Sequence, residues 1–184
     1  KNYVYNVLLS GSNIVFPLIT FPYVARILGP EGIGEVQFAF SYAQYFSILA
    51  AIGIPFYGIK EIGRCKGEKP KIDKVFSELF IMSFISSLIV FSVYLITVFN
   101  LPQFTEHIGL FLLCGSLILL SALNLDWLFA GLEDFRILTL RSFFIKVVAL
   151  ILLFILVKTE ESIFAYTFVL VLGLAGNSIL NLFL

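Results

Sequence analysis

Lys146 stands eight residues inside an apolar stretch that begins near Leu138, roughly 12 Å deep at the rise of an α-helix. An ionisable group at that depth in hydrocarbon costs several kcal/mol unless it faces a cavity or a partner. Asp126 is the natural counter-charge. It precedes Leu132 by six residues, roughly 9 Å from the same end of its own apolar stretch. Two readings of the two residues stay open: an ion pair that fixes the packing of adjacent helices, or a hydrophilic cavity that receives an anionic group or a proton. Arg141 is only about 5 Å deep, so it can snorkel to the interface and reads as an anchor. Arg26 closes the first apolar stretch at its opposite end, where a snorkelling terminal residue and a cavity-lining cation are both open.

Other residues change how these stretches behave. Pro17 and Pro22 remove two backbone donors from one segment, and should bend or break a helix there. Asn13, Gln37, Gln44, Asn124, Asn177 and Asn181 are neutral polar groups at depth, suited to hydrogen bonds between helices of about 1 kcal/mol each. Trp127 reads first as an interfacial residue, with stacking on a sugar as the second reading. The single histidine, His107, reads as a solvated loop residue without metal-ligand neighbours. No P-loop, no HExxH and no catalytic triad or paired catalytic carboxylates stand out, and no metal site or cofactor is expected. Cys65 and Cys114 have neither metal spacing nor a catalytic companion, and no disulfide is expected.

The elements that carry these residues follow from composition and block length. Of 184 residues, 60% are hydrophobic and 13% charged, against roughly 45–50% and about 25% in a soluble domain. Such a chain excludes disorder, a nucleic-acid arm, a disulfide scaffold and an ordinary soluble enzyme. A helix crossing about 30 Å of hydrocarbon needs about 20 apolar residues. Six stretches serve, at 4–25, 36–59, 75–99, 108–132, 138–157 and 163–184. These blocks are too long and too uniform for the alternating strands of a barrel. Helices also pair every backbone group within one segment. The class is all-α transmembrane. The chain opens on Lys1 and stops within its sixth apolar stretch, and reads as a fragment of a larger protein.

Charge placement orients the stretches. One set of loops and adjoining helix ends holds Lys1, Lys60, Arg64, Lys66, Lys69, Lys71, Lys74, Arg136, Arg141 and Lys146, whereas the other holds only Arg26 and Lys158. By the positive-inside rule the amino terminus is cytoplasmic. The basic segment 60–74 reads as a topology determinant that also attracts anionic membrane lipids.

Three strings carry a family resemblance: FPLITFPYVARILGPEGIGEVQFAFSYAQYF at 16–46, GIPFYGIKEIGR at 53–64, and NLDWLFAGLEDFRILTLRSFFIKVVALILLFILVK at 124–158. Together they resemble the amino-terminal part of Wzx-type oligosaccharide flippases, within the multidrug/oligosaccharidyl-lipid/polysaccharide exporter superfamily. The LGPEGIG turn and the DWLFAGLEDF corner are its more specific parts. The resemblance implies a six-helix amino-terminal lobe of a two-lobe transporter with about twelve helices, rocking around a central cavity. It implies a multi-pass protein of the bacterial inner membrane that flips undecaprenyl-pyrophosphate-linked oligosaccharide for surface polysaccharides such as O-antigen. Under it, Arg26, Arg141 and Lys146 would supply charge to the substrate, and Asp126 would gate or couple transport to a proton or Na⁺. Other polysaccharide assembly proteins are implied partners, and nucleic acid is not. Two alternatives stay open. A cation-coupled drug or metabolite antiporter of the same superfamily would want acidic residues at depth, where basic ones prevail here. A membrane-embedded polysaccharide polymerase or ligase would need a large outer loop, and the outer loops here are short.

Overall fold

The computed structural model describes residues 2–181, without the side chains of residues 2–6 and 8. Lys1 and the last three residues of the sixth expected span lie outside the described residues. Seven α-helices follow one another: α1 (Asn2–Ala51), α2 (Ile54–Arg64), α3 (Lys69–Asn100), α4 (Ile108–Ala122), α5 (Asp126–Gly131), α6 (Phe135–Leu156) and α7 (Ile163–Leu180). The described residues contain no strand. Five helical stretches are long and apolar enough to cross a membrane, the first of them running over Leu9–Arg64.

That first stretch holds two expected spans as the arms of a hairpin. Gly29, at φ 67° and ψ 178°, is the one residue of α1 with non-helical dihedrals. A residue without Cβ takes that left-handed φ at no steric cost, and Pro30 then opens the next helix with its φ preset. The chain turns back here: Asn13, Pro17 and Phe21 of the first arm line one cavity together with Gln37 and Phe40 of the second. Contrary to the expectation of a break, the first arm keeps helical dihedrals through Pro17 and Pro22. Each proline still removes one ladder bond, to the carbonyls of Asn13 and Leu18. The arm is held from outside instead. Phe16 meets Phe143 edge-on at 6.0 Å, and Tyr23 Oη donates to the Val157 carbonyl at 2.9 Å.

Two further spans are interrupted where hydropathy reads them as continuous. The 36–59 stretch breaks between α1 and α2, at Ile52 (φ 42°) and Gly53 (φ 72°). The 108–132 stretch breaks at residues 123–125, between α4 and α5. A broken helix inside an apolar environment must find partners for the freed carbonyls. Both breaks meet that demand in the same way. Ser86 Oγ of α3 donates to the Ala50 carbonyl at 2.8 Å, and Asn181 Nδ2, just past α7, donates to the Leu123 carbonyl at 2.6 Å.

Packing follows from side-chain size. Tyr94 of α3 is fully buried, and its hydroxyl donates to the Phe111 carbonyl at 2.6 Å. Gly115 leaves the room for it, since a Cβ there would stand 2.5 Å from the Tyr94 ring. Around that ring Tyr42, Phe46, Phe104 and Phe111 form an aromatic cluster joining the second arm of α1 to α3 and α4. Outside, the helices present apolar side chains: Phe56 is 84% exposed, Leu18 72% and Ile14 70%. An apolar surface of this extent belongs against lipid or another apolar partner.

Most charge is kept to the ends. The α2–α3 turn and its flanks carry exposed ion pairs of Arg64 with Glu61, Lys71 with Glu68, and Lys66 with Glu133. The last links two turns of the same end at 2.5 Å. The hydrogen bond from Lys66, and then its charge, hold the Glu133 carboxyl below the ordinary glutamate range. Exposed pairs of this kind add little stability; they mark the basic end of the bundle.

Two chambers along the first and sixth helices

α6 positions both deep cations, Arg141 and Lys146, five residues apart. At about 100° per residue that spacing puts them on different faces of the helix. Lys146 faces the first arm of α1. Its ammonium donates to Ser12 Oγ at 2.7 Å and to Asn13 Oδ1, and lies 5.8 Å from the centre of the Phe16 ring. It borders a cavity of about 350 Å³ between both arms of α1, α6 and α7, whose polar lining includes Asn13, Thr20, Gln37 and Tyr166. No carboxylate among the described residues pairs with it. Lys146 is thus a fixed cation held by neutral acceptors at the edge of a mostly apolar chamber.

Arg141 faces the opposite way and is not an interfacial anchor. Its side chain is 5% exposed. One terminal nitrogen donates to Asp126 Oδ1 at 2.5 Å, the other to Asn181 Oδ1, and the guanidinium lies 5.1 Å from the Phe129 ring centre. Its Nε is buried without a partner among the described residues. The expected pairing of Asp126 with Lys146 is therefore corrected: the partner is Arg141. The break at 123–125 explains the exchange. Asp126 sits in the first turn of α5 rather than in the middle of a continuous helix, and Asn124 Oδ1 accepts from its backbone N–H at 2.8 Å.

Asp126 also lines a second cavity, of about 390 Å³, between both arms of α1 and helices α2, α3, α4, α5 and α6. The two breaks border it: Ala51, Ile54 and Pro55 on one side, Asn124, Asp126 and Trp127 on the other. Trp127 points into the bundle rather than out of it. It is 5% exposed, with its ring over Gly58, where a Cβ would come within 2.4 Å of it. Gly131 likewise faces Ile62, so α2 and α5 touch through small residues.

The remaining expected residues lie apart. Arg26 is exposed and lines neither chamber. Gln44 is exposed as well, whereas Asn177 Nδ2 donates to Ser142 Oγ at 2.7 Å within the bundle. His107 is not merely solvated: its Nε2 lies 3.5 Å from Glu35 Oε1, joining the α3–α4 turn to the second arm of α1. Among the described residues no group of three or more His, Cys, Asp or Glu side chains is placed to hold a metal. Sequence reasoning overlooked Ser12, Ser83, Ser142 and Glu35. The signal for Ser12 is its place beside Asn13, one turn before Pro17, where the helix lacks a rung.

Long apolar helices, turned and interrupted at glycine and proline and holding a cation beside a half-open cavity, define a polytopic membrane protein. The chain belongs to the family described as polysaccharide biosynthesis protein, whose model matches residues 1–184. It is 28% identical over 165 residues to a protein of Escherichia coli (strain K12) provisionally named an O-antigen transporter, covering 89% of this chain and 39% of that one. A Shigella dysenteriae protein with the same provisional name is 27% identical over 184 residues, covering 100% of this chain and 46% of that one. The chain therefore spans less than half the length of the curated relatives it matches. No solved structure matches it.

Proposed function

We propose that this chain forms the amino-terminal lobe of a transporter that moves undecaprenyl-pyrophosphate-linked oligosaccharide across the bacterial inner membrane, for O-antigen or a similar surface polysaccharide. One observation carries the reading: Lys146 is an ammonium at depth, without a carboxylate partner among the described residues, beside a chamber lined mainly by apolar groups. Taking a pyrophosphate-sugar head group through hydrocarbon would strip its water without replacement. A fixed cation with neutral hydrogen-bonding neighbours replaces part of that hydration, while the polyprenyl tail stays in lipid. The relatives named as O-antigen transporters support the same substrate class.

In the whole protein a second lobe would close the chamber, and rocking of the two lobes would open it to either side in turn. Lys146 is the first contact for the pyrophosphate. Arg26, exposed at the opposite end, meets the anion as it leaves. Arg141 acts on the substrate by exchanging Asp126, and Asp126 is where a coupling proton or Na⁺ would compete with the guanidinium. The basic end faces the cytoplasm and its anionic lipids. The product passes to other polysaccharide assembly proteins, and the protein itself makes and breaks no covalent bond.

The test is Lys146→Ala in the full-length protein, with surface polysaccharide and membrane insertion measured side by side. Insertion is expected to be unchanged and polymer to be lost. Normal polymer output overturns the role given to Lys146.

A further inference from the structure

The two chambers follow one another along α1 and α6. On α1, Leu9 lines the Asp126 chamber and Asn13 the other; on α6, Ser142 lines the first and Lys146 the second. Each pair is four residues apart, one helical turn or about 6 Å. Between the chambers, Lys146 reaches from α6 to Ser12 and Asn13 of α1. Its ammonium lines the Asn13 chamber and forms the partition on that side.

The chambers differ in charge. Beside Lys146 there is one cation without a balancing carboxylate among the described residues. In the Asp126 chamber the carboxylate is balanced by Arg141, so the net charge is zero. The Asp126 side chain is nevertheless 41% exposed, and Ser83, Ser121, Ser142 and Asn124 line the same chamber, the last three with one hydrogen bond each already made. Ser83 Oγ makes no hydrogen bond to a described group, which leaves it free for a ligand. Pro55 and Trp127 add flat apolar surface. Neutral charge, mixed donors and acceptors and flat apolar walls match neither a free anion nor a bare cation. They match a ring bearing hydroxyls on its rim and C–H groups on its faces. A space of about 390 Å³ lies within the range of small-molecule sites.

We propose that the Asp126 chamber is the subsite for a neutral, hydroxyl-rich group, a sugar ring, held one helical turn from the anion that Lys146 receives. This deepens the proposed function and rests on its reading of Lys146 as the anion contact. The ligand then lies along α1 and α6, with its sugar between the two helix breaks and its pyrophosphate at the partition. Arrival of the anion draws the ammonium away from Ser12 and Asn13, and the two chambers become one groove. Ser83 and Asn124 determine specificity for the sugar, and Lys146 does not discriminate between sugars.

The test measures binding to the full-length protein in lipid nanodiscs with two probes: undecaprenyl pyrophosphate, and the lipid-linked oligosaccharide extracted from the host's own membranes. Ser83→Ala removes only a hydroxyl, and Asn124→Ser keeps a short acceptor for the Asp126 N–H while losing the amide. Each is expected to weaken the sugar-bearing probe by about fivefold to tenfold, the loss of one hydrogen bond, and to leave the sugarless probe unchanged. The ratio of the two affinities is taken within one variant, so a partly unfolded sample does not alter it. A ratio equal to wild type in both variants overturns the sugar subsite. Lys146→Gln is expected to weaken both probes together. If it weakens neither, the anion reading of Lys146 fails, while the ratios from the other two variants still decide the sugar subsite.

Discussion

Removing one member of a buried ion pair costs more than removing both, because the survivor is left charged without its partner. Arg141 and Asp126 make that asymmetry testable, since the guanidinium is 5% exposed and the carboxylate 41%. Asp126→Ala strands Arg141, whose Nε already lacks a partner among the described residues, and is expected to cost about 2–3 kcal/mol. Adding Arg141→Met should return most of that loss, as apolar replacement of a buried pair often does. Thermal unfolding of the full-length protein in detergent reads both, and a double variant as unstable as the sum of the singles sinks the pairing. The sequence discloses which residues carry charge at depth, because counting in from a loop needs only the helix rise. It does not disclose their partners. Depth arithmetic treats each span as straight, and the pairing of Asp126 with Lys146 rests on that premise. The break at residues 123–125 turns Asp126 toward Arg141 instead. Ser12 and Asn13 are the groups left to receive Lys146.

At the scale of elements, the contact between α2 and α5 depends on absent side chains. A Cβ on Gly58 would meet the Trp127 ring at 2.4 Å, whereas one on Gly63 would meet only the Gly131 carbonyl at 3.8 Å. Replacing glycine by alanine within a helix gains about 1 kcal/mol of propensity, while overpacking a filled site costs about 1–3 kcal/mol. Gly58→Ala should therefore lower the unfolding temperature, and Gly63→Ala should hold or raise it. Trp127→Leu added to Gly58→Ala should restore part of the loss. Equal behaviour of the two alanine variants would mean that α2 and α5 do not pack as described. Element type was legible throughout, since apolar blocks of this length admit little besides helices. The interruptions were legible only in part. The first is spelled by Gly53 followed by Pro55, the same left-handed glycine and early proline that turn the chain at Gly29 and Pro30. Continuous hydropathy hides it, because its freed carbonyl is answered by Ser86, far along the chain. The second carries no glycine or proline, and its closing partner, Asn181, lies beyond α7.

For the whole molecule, the uneven ends of the bundle decide which way it sits. Lys60, Arg64, Lys66, Lys69, Lys71, Lys74 and Arg136 gather at the end formed by the α2–α3 and α5–α6 turns, while the end with Gly29 and the α3–α4 and α6–α7 turns has Arg26 and Lys158. Exposed acidic partners offset part of the basic cluster, as between Lys66 and Glu133. Topology nevertheless responds to Lys and Arg in short loops far more than to Asp and Glu. The basic end should lie in the cytoplasm even though the chain's formal net charge is zero. Glu106 and Lys69 are both exposed, at opposite ends, and neither lines a chamber. In a full-length protein cleared of its other cysteines, Glu106→Cys should react with a membrane-impermeant maleimide on intact cells whose outer membrane has been opened. Lys69→Cys should react only after the inner membrane is also opened. The reverse pattern would place the Asp126 chamber nearer the outer face. Sugar would then enter from the side where polymer is assembled rather than where its lipid-linked unit is made, and the transport direction proposed for this lobe would be lost with it.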